Sequence, residues 1–237
     1  MTISNGQIGG GKPSYVIDSL GNTALIGPDG NILIRPVYPY LWADRPDPVA
    51  NPGLVIRATD IGGSAGTLLI SDGAYYKSYS GAPIVLGYGH EDVSVSATTA
   101  EEALKQVLVP AYLAGPNGIV RVTTTWTTSG NTNTKRMRIR FGASGLTGDV
   151  HMSIDHTLAN QTSAQYLTSI CNVNNLATQK GGSDSGHAGY GITANASITA
   201  GTQNTGIDRY ITISGTKVTS SGDTLTLNRY LVELLTL

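Results

Sequence analysis

Few side chains in this sequence that titrate, ligate or attack stand at a spacing that chemistry would use. Gly6-Gln7-Ile8-Gly9-Gly10-Gly11-Lys12 follows a phosphate-binding loop as far as its lysine. Pro13 then occupies the place of the magnesium-binding hydroxyl, and the five residues ahead of Gly6 are too few for the strand that feeds such a loop, so a flexible arm is expected. Ser183-Asp184-Ser185-Gly186, with His151 and His156 upstream, has the residue types of a serine nucleophile and its base. A triad also needs a buried carboxylate and an oxyanion hole, and no G-x-S-x-G elbow is present, so a surface loop is expected there.

His151, Asp155 and His156 are metal-ligating types. On a regular strand residues 151 and 156 face opposite ways, so the two imidazoles cannot share an ion unless a bulge intervenes. His156 runs in phase with Val150, Met152 and Ile154, which predicts a hydrogen-bonded core or interface histidine. His90, beside Glu91 and Asp92, reads as a solvated turn. Arg136, Arg138 and Arg140 alternate along one strand face; nucleic-acid binding needs more positive charge and interleaved aromatics, so pairing with acidic groups of the same or a neighbouring subunit is expected. Glu101 and Glu102 are adjacent and give no support to paired-carboxylate glycoside hydrolysis. Cys171, the single cysteine, forms no internal disulfide and builds no thiolate zinc site; it reads as a small apolar group. No catalytic residue, cofactor or metal is assigned.

The elements that must position these residues read as strands. The 237 residues include 30 Gly and 10 Pro, only 13% are charged, and Ser and Thr make up about a fifth. That composition favours strands and turns over helices, and 40% hydrophobic residues suffice for a core. The net charge of −1 gives no electrostatic reason to bind nucleic acid or an anionic membrane. Met1 to Gly6 lack the basic start and apolar run of a signal peptide, and no stretch approaches ~18 apolar residues. Synthesis and folding in a cytoplasm are expected.

Leu25-Ile26 and Ile32-Leu33-Ile34 flank Asp29-Gly30 and predict a hairpin behind a loose arm. Five prolines between Pro36 and Pro52 predict an extended connector, which carries Tyr38, Tyr40 and Trp42. Residues 54–80 predict a second hairpin or a meander turning at Asp72-Gly73. Beyond residue 81 short alternating runs recur at sandwich spacing: Val120, Val122, Thr124 and Trp126 on one face, then Met137, Ile139 and Phe141 on another, with a last strand near Thr224 to Leu235. Residues 100–109 are ambiguous: helix propensity and a Glu101/Lys105 pair argue one way, a strand ended by Pro110 the other.

Two groups of segments resemble a known family. Arg57-Ala58-Thr59-Asp60-Ile61-Gly62 followed by Leu69-Ile70-Ser71-Asp72-Gly73-Ala74-Tyr75-Tyr76 resembles a short module of tailed-bacteriophage virion proteins, with Leu69-Ile70 in place of the usual aromatic. Thr98 to Leu104, Val107 to Ala111, Leu113 to Gly118, Arg121 to Trp126, Asn131 to Gly142, Asp223 to Leu227 and Val232-Glu233 are similar to the C-terminal jelly-roll domains of phage head-fibre, decoration and short tail-fibre proteins. The resemblance implies a homotrimer, a sandwich knob, an N-terminal anchor and a strand over 100–109; it brings no shared active-site residues.

The sequence therefore predicts an all-β protein with a C-terminal jelly-roll-like β-sandwich, small N-terminal hairpin modules and an extended arm. Residues 1–52 would attach it to the particle, 53–80 form a small β linker domain and 81–237 the knob. The expected function is that of a non-enzymatic virion structural protein at the virion surface, a capsid decoration or head-fibre protein bound to the major capsid protein. The alternative is a tail-fibre protein, bound to tail proteins, whose knob binds a host-surface glycan or protein. Tyr38, Tyr40 and Trp42 either anchor the chain to the particle or pack against its own second hairpin.

Overall fold

The computed structural model describes residues 37–62, 66–96, 99–157, 159–183, 198–219 and 222–237, together with three strands nearer the N-terminus. The Gly6 to Pro13 motif, the loose arm and Asp184 to Gly186 lie outside the described residues. The chain divides into two units, one of Met1–Asp60 with Ser64–Ser80, the other of Ile61–Gly63 with Gly81–Leu237.

The first unit holds two small sheets. β1 (Ser14–Ile17), β2 (Thr23–Ile26) and β3 (Ile32–Ile34) form an antiparallel sheet in chain order; the expected hairpin is β2–β3, and β1 adds a strand that the sequence reading lacked. The second sheet orders β4 (Tyr38–Tyr40), β5 (Val55–Ala58), β6 (Thr67–Ser71) and β7 (Tyr76–Ser78) side by side. The proline-rich stretch is thus more than a connector, since β4 pairs in parallel with β5. Pro39 is tolerated because β4 is an edge strand, where a missing N–H interrupts no further ladder. At the β6–β7 turn Asp72 Oδ1 accepts from the backbone N–H groups of Ala74 and Tyr75 at 2.9 and 2.8 Å, and Gly73 takes φ +92°.

The second unit is a jelly-roll-like sandwich of two antiparallel sheets. Its strands are β8 (Ile84–Gly89), β9 (Val93–Ser94), β10 (Glu102–Val109), β11 (Ile119–Ser129), β12 (Lys135–Gly142), β13 (Asp149–His156), β14 (Gln161–Asn172), β15 (Gln179–Ser183), β16 (Ile198–Gly201), β17 (Arg209–Lys217) and β18 (Thr224–Leu235). The smaller sheet runs β10-β17-β12-β13 and the larger β16-β15-β14-β11-β18-β8, with β9 also on β18. Strict alternation buries Val120, Val122, Thr124 and Trp126 of β11 against Met137, Ile139 and Phe141 of β12, as period-2 patterning requires. Ile211, Ile213, Leu225, Leu227, Val232 and Leu234 complete the core.

Residues 102–109 form a strand, as the resemblance implies and against their helix propensity. Val107 and Val109 are buried opposite Ile211 and Arg209 of β17, and that packing outweighs a local preference of tenths of a kcal/mol per residue.

Candidate functional site

The arginine stripe is closed by acids of its own subunit. Arg136 grips Asp155 through Nε at 2.5 Å and Nη2 at 2.7 Å. Arg138 and Arg140 converge on Glu101: Arg138 Nη1 donates to Oε2 at 2.5 Å, and Arg140 donates through Nε to Oε1 at 2.9 Å and through Nη2 to Oε2 at 2.8 Å. Ser214 Oγ donates to Oε1 at 2.6 Å. Glu101 therefore reaches from the start of β10 over β17 to β12. The Arg140 hydrogen bonds hold its carboxyl down to about 2, against burial that pushes it up, with Ser214 and the charge of Arg138 helping. Asp155 is likewise lowered, first by Arg136.

A β-bulge corrects the expected orientation of the histidines. β13 pairs Ile139 with Met152 but Arg140 with Val150, so His151 is the extra residue. The insertion breaks the parity argument, and both His151 and His156 are buried, at 0% and 2% exposure. His151 Nδ1 lies 2.8 Å from Thr199 Oγ1 of β16. Burial lowers its pKa, and the nearby Asp149 carboxylate opposes this. Asp155 turns away to Arg136, and among the described residues no three His, Cys, Asp or Glu side chains gather as metal ligands. Ser183 is buried on β15 opposite Thr168. Cys171 is half-buried, and desolvation raises its thiol pKa.

In the first unit the three anchor candidates separate. Trp42 is buried at 6% exposure, edge-on to Tyr76 at 6.0 Å and 71°, with the Arg45 guanidinium 4.0 Å over its ring. Its backbone N–H donates to Asp60 Oδ1 at 2.8 Å. Trp42 thus packs against the second hairpin, while Tyr38 and Tyr40 stay half-exposed on edge strand β4. Val37, Leu41 and Val49 of the same stretch are exposed.

The sequence reading missed a groove on the outer face of the larger sheet. Tyr88, 68% exposed, stands on β8 beside Leu231 of β18, which in turn neighbours Thr123 of β11. Gln165, Arg229, His90 and Tyr230 also line the groove, with Gly62, Val85 and Gly89, around about 670 Å³. The signal was Gly87-Tyr88-Gly89-His90, an aromatic isolated between glycines on a strand.

No family model matches the sequence, and no curated protein matches it. Similarities to solved structures are distant. The lectin UEA-II, solved in complex with galactose, is 8% identical over 68% of this chain and 90% of its own, with a TM-score of 0.33. Arcelin-5, a lectin-like defence protein from Phaseolus vulgaris, is 5% identical over 94% of this chain and 90% of its own, with a TM-score of 0.29. A structure of infectious bursal disease virus, Gt strain, gives 8% identity over 65% of this chain and 32% of its own, with a TM-score of 0.26.

Proposed function

We propose that this chain is a non-enzymatic structural protein of a tailed-bacteriophage virion, a homotrimeric capsid decoration or head-fibre protein displayed on the particle surface. It is made in the host cytoplasm and attaches to the major capsid protein through its N-terminal region. The observation that carries this reading is where the family-like segments fall. Arg57 to Gly62 take in the end of β5 and the loop after it, Leu69 to Tyr76 the end of β6 and the β6–β7 turn, Leu113 to Gly118 the turn between β10 and β11, and the others fall on β10, β11, β12 and β18. The likeness thus lies in the frame of the sheets, as befits a structural part. Glu101 and Asp155 pair with arginines of the same sheet.

For attachment, the Trp42 ring is occupied internally, so contact with the shell falls to Tyr38, Tyr40 and the exposed Val37, Leu41 and Val49 of the same stretch. Quantitative mass spectrometry of purified virions tests the assignment. A copy number that scales with the major capsid protein is expected. One that scales with the portal moves the chain to a tail fibre, a reading that the Tyr88 groove favours because a receptor-binding knob needs such a site. Absence from virions refutes both. Sedimentation of the purified chain at the mass of three copies is the expected result for the trimer.

A further inference from the structure

We propose that the groove around Tyr88 binds a saccharide that carries an acidic group, the pyranose face stacked on Tyr88 and the acid held by Arg229. The inference names a ligand for the knob, and rests on the tail-fibre alternative above only for the biological source of the sugar.

The groove is built on rigid strands. Tyr88 projects outward from the middle of β8, opposite Leu231, while its neighbours Gly87 and Gly89 lie opposite Val232 and Tyr230. A Cβ on Gly87 would come within 2.9 Å of Val107 Cγ1, and one on Gly89 within 2.5 Å of Tyr230 Cε1. The missing side chains let Val107 and the Tyr230 ring close against β8. Tyr88, by contrast, keeps a large amphipathic ring in solvent, and a two-torsion side chain loses little entropy when a ligand covers it.

The rest of the lining suits a polyol. Leu231 gives an apolar floor beside the ring, Thr123 supplies a hydroxyl, and Gln165 supplies an amide, so donors and acceptors are both present for sugar hydroxyls. About 670 Å³ falls in the range of small-ligand sites, and this mixture of aromatic and convergent polar groups is their usual lining. Charge selects the acidic class. Arg121, Arg136, Arg138 and Arg140 each pair with a carboxylate, whereas Arg229 has no acidic partner among the described residues. A planar guanidinium there is matched to a carboxylate or phosphate.

The test is binding of the purified full-length chain to a printed array of uronic-acid, sialic-acid, phosphate-bearing and neutral oligosaccharides, followed by titration with the best acidic oligosaccharide. Binding is expected to prefer acidic glycans and to weaken with added salt. Tyr88→Ala is expected to lose at least about tenfold in affinity, a loss of ~1.4 kcal/mol, with an unchanged melting temperature. Arg229→Gln is expected to abolish the preference for acidic over neutral glycans. The proposal is overturned if no glycan binds, if Tyr88→Ala binds like wild type, or if Arg229→Gln keeps the acidic preference. A changed sedimentation mass of Tyr88→Ala would overturn it too, by making this face a contact between copies. None of these outcomes depends on the virion copy number, so the two readings fail separately.

Discussion

Removing the charge of Glu101 is the sharpest probe of the sandwich, because one carboxylate there joins three strands. Glu101→Gln keeps the shape but leaves Arg138 and Arg140, 21% and 16% exposed, without a counter-charge. The carboxyl falls from 4.5 to about 2 in the folded protein. At 1.36 kcal/mol per pKa unit that is a stabilisation of about 3 kcal/mol at neutral pH. For a domain of this size it corresponds to a drop in Tm of roughly 6–12 °C. The folded pKa is depressed, so the stabilisation is fully present above 4.5 and is lost as pH falls through 2. The wild-type advantage in urea unfolding, at one protein concentration, should hold from pH 7 to about 5, shrink to about 2 kcal/mol at pH 3.5 and fall below about 1 kcal/mol at pH 2.5. Other lowered carboxyls, such as Asp155, act equally on both proteins and cancel in the difference. A gap under about 0.5 kcal/mol at pH 7, or one that stays constant down to pH 2.5, would refute the assignment of Glu101 as the clamp.

Two further perturbations address the rest of the molecule. Trp42→Ala removes a buried ring packed on Tyr76 and under Arg45, and should cost the first unit about 3–5 kcal/mol; hydrogen exchange should show lost protection over β5 to β7, and unchanged protection there would contradict it. His151 is buried, and desolvation lowers its pKa against the opposing charge of Asp149. Its contribution is intact above about 6.5 and lost as pH falls below that value, with a slope of up to about 1.4 kcal/mol per pH unit. His151→Gln should lessen the loss of stability that sets in below about pH 6.5, and a variant that follows the wild-type pH curve would show that another group titrates.

Local pattern made the strands legible where both faces differ in chemistry. β12 alternates Arg with Met, Ile and Phe, β11 alternates around Trp126, and each was readable because period 2 coincides with burial. Pattern failed where tertiary partners decide. Ala103-Leu104-Lys105-Gln106 prefers a helix in isolation, and only β17 makes it a strand. The arginines were rightly expected to meet acids, yet Glu101 was not identified as the partner, because it is distant in sequence and meets Arg138 and Arg140 only once β17 lies between β10 and β12. The bulge at His151 was invisible for a related reason: one extra residue changes the facing of a side chain without leaving a mark in composition.

The groove points to a signal that a turn-oriented reading of glycine overlooks. On strands of this protein several glycines lie under side chains of a neighbouring element. A Cβ on Gly201 would come within 2.9 Å of His151 Nε2, and one on Gly181 would overlap Nδ1 of the same ring. Gly89 and Gly87 accommodate Tyr230 and Val107 in the same way. In each case the missing Cβ is the space into which an imidazole, a phenol or a branched chain closes. These glycines record where side chains cross strands, and the pair that flanks Tyr88 leaves its ring facing outward between them. That ring is the one on which the proposed saccharide would rest.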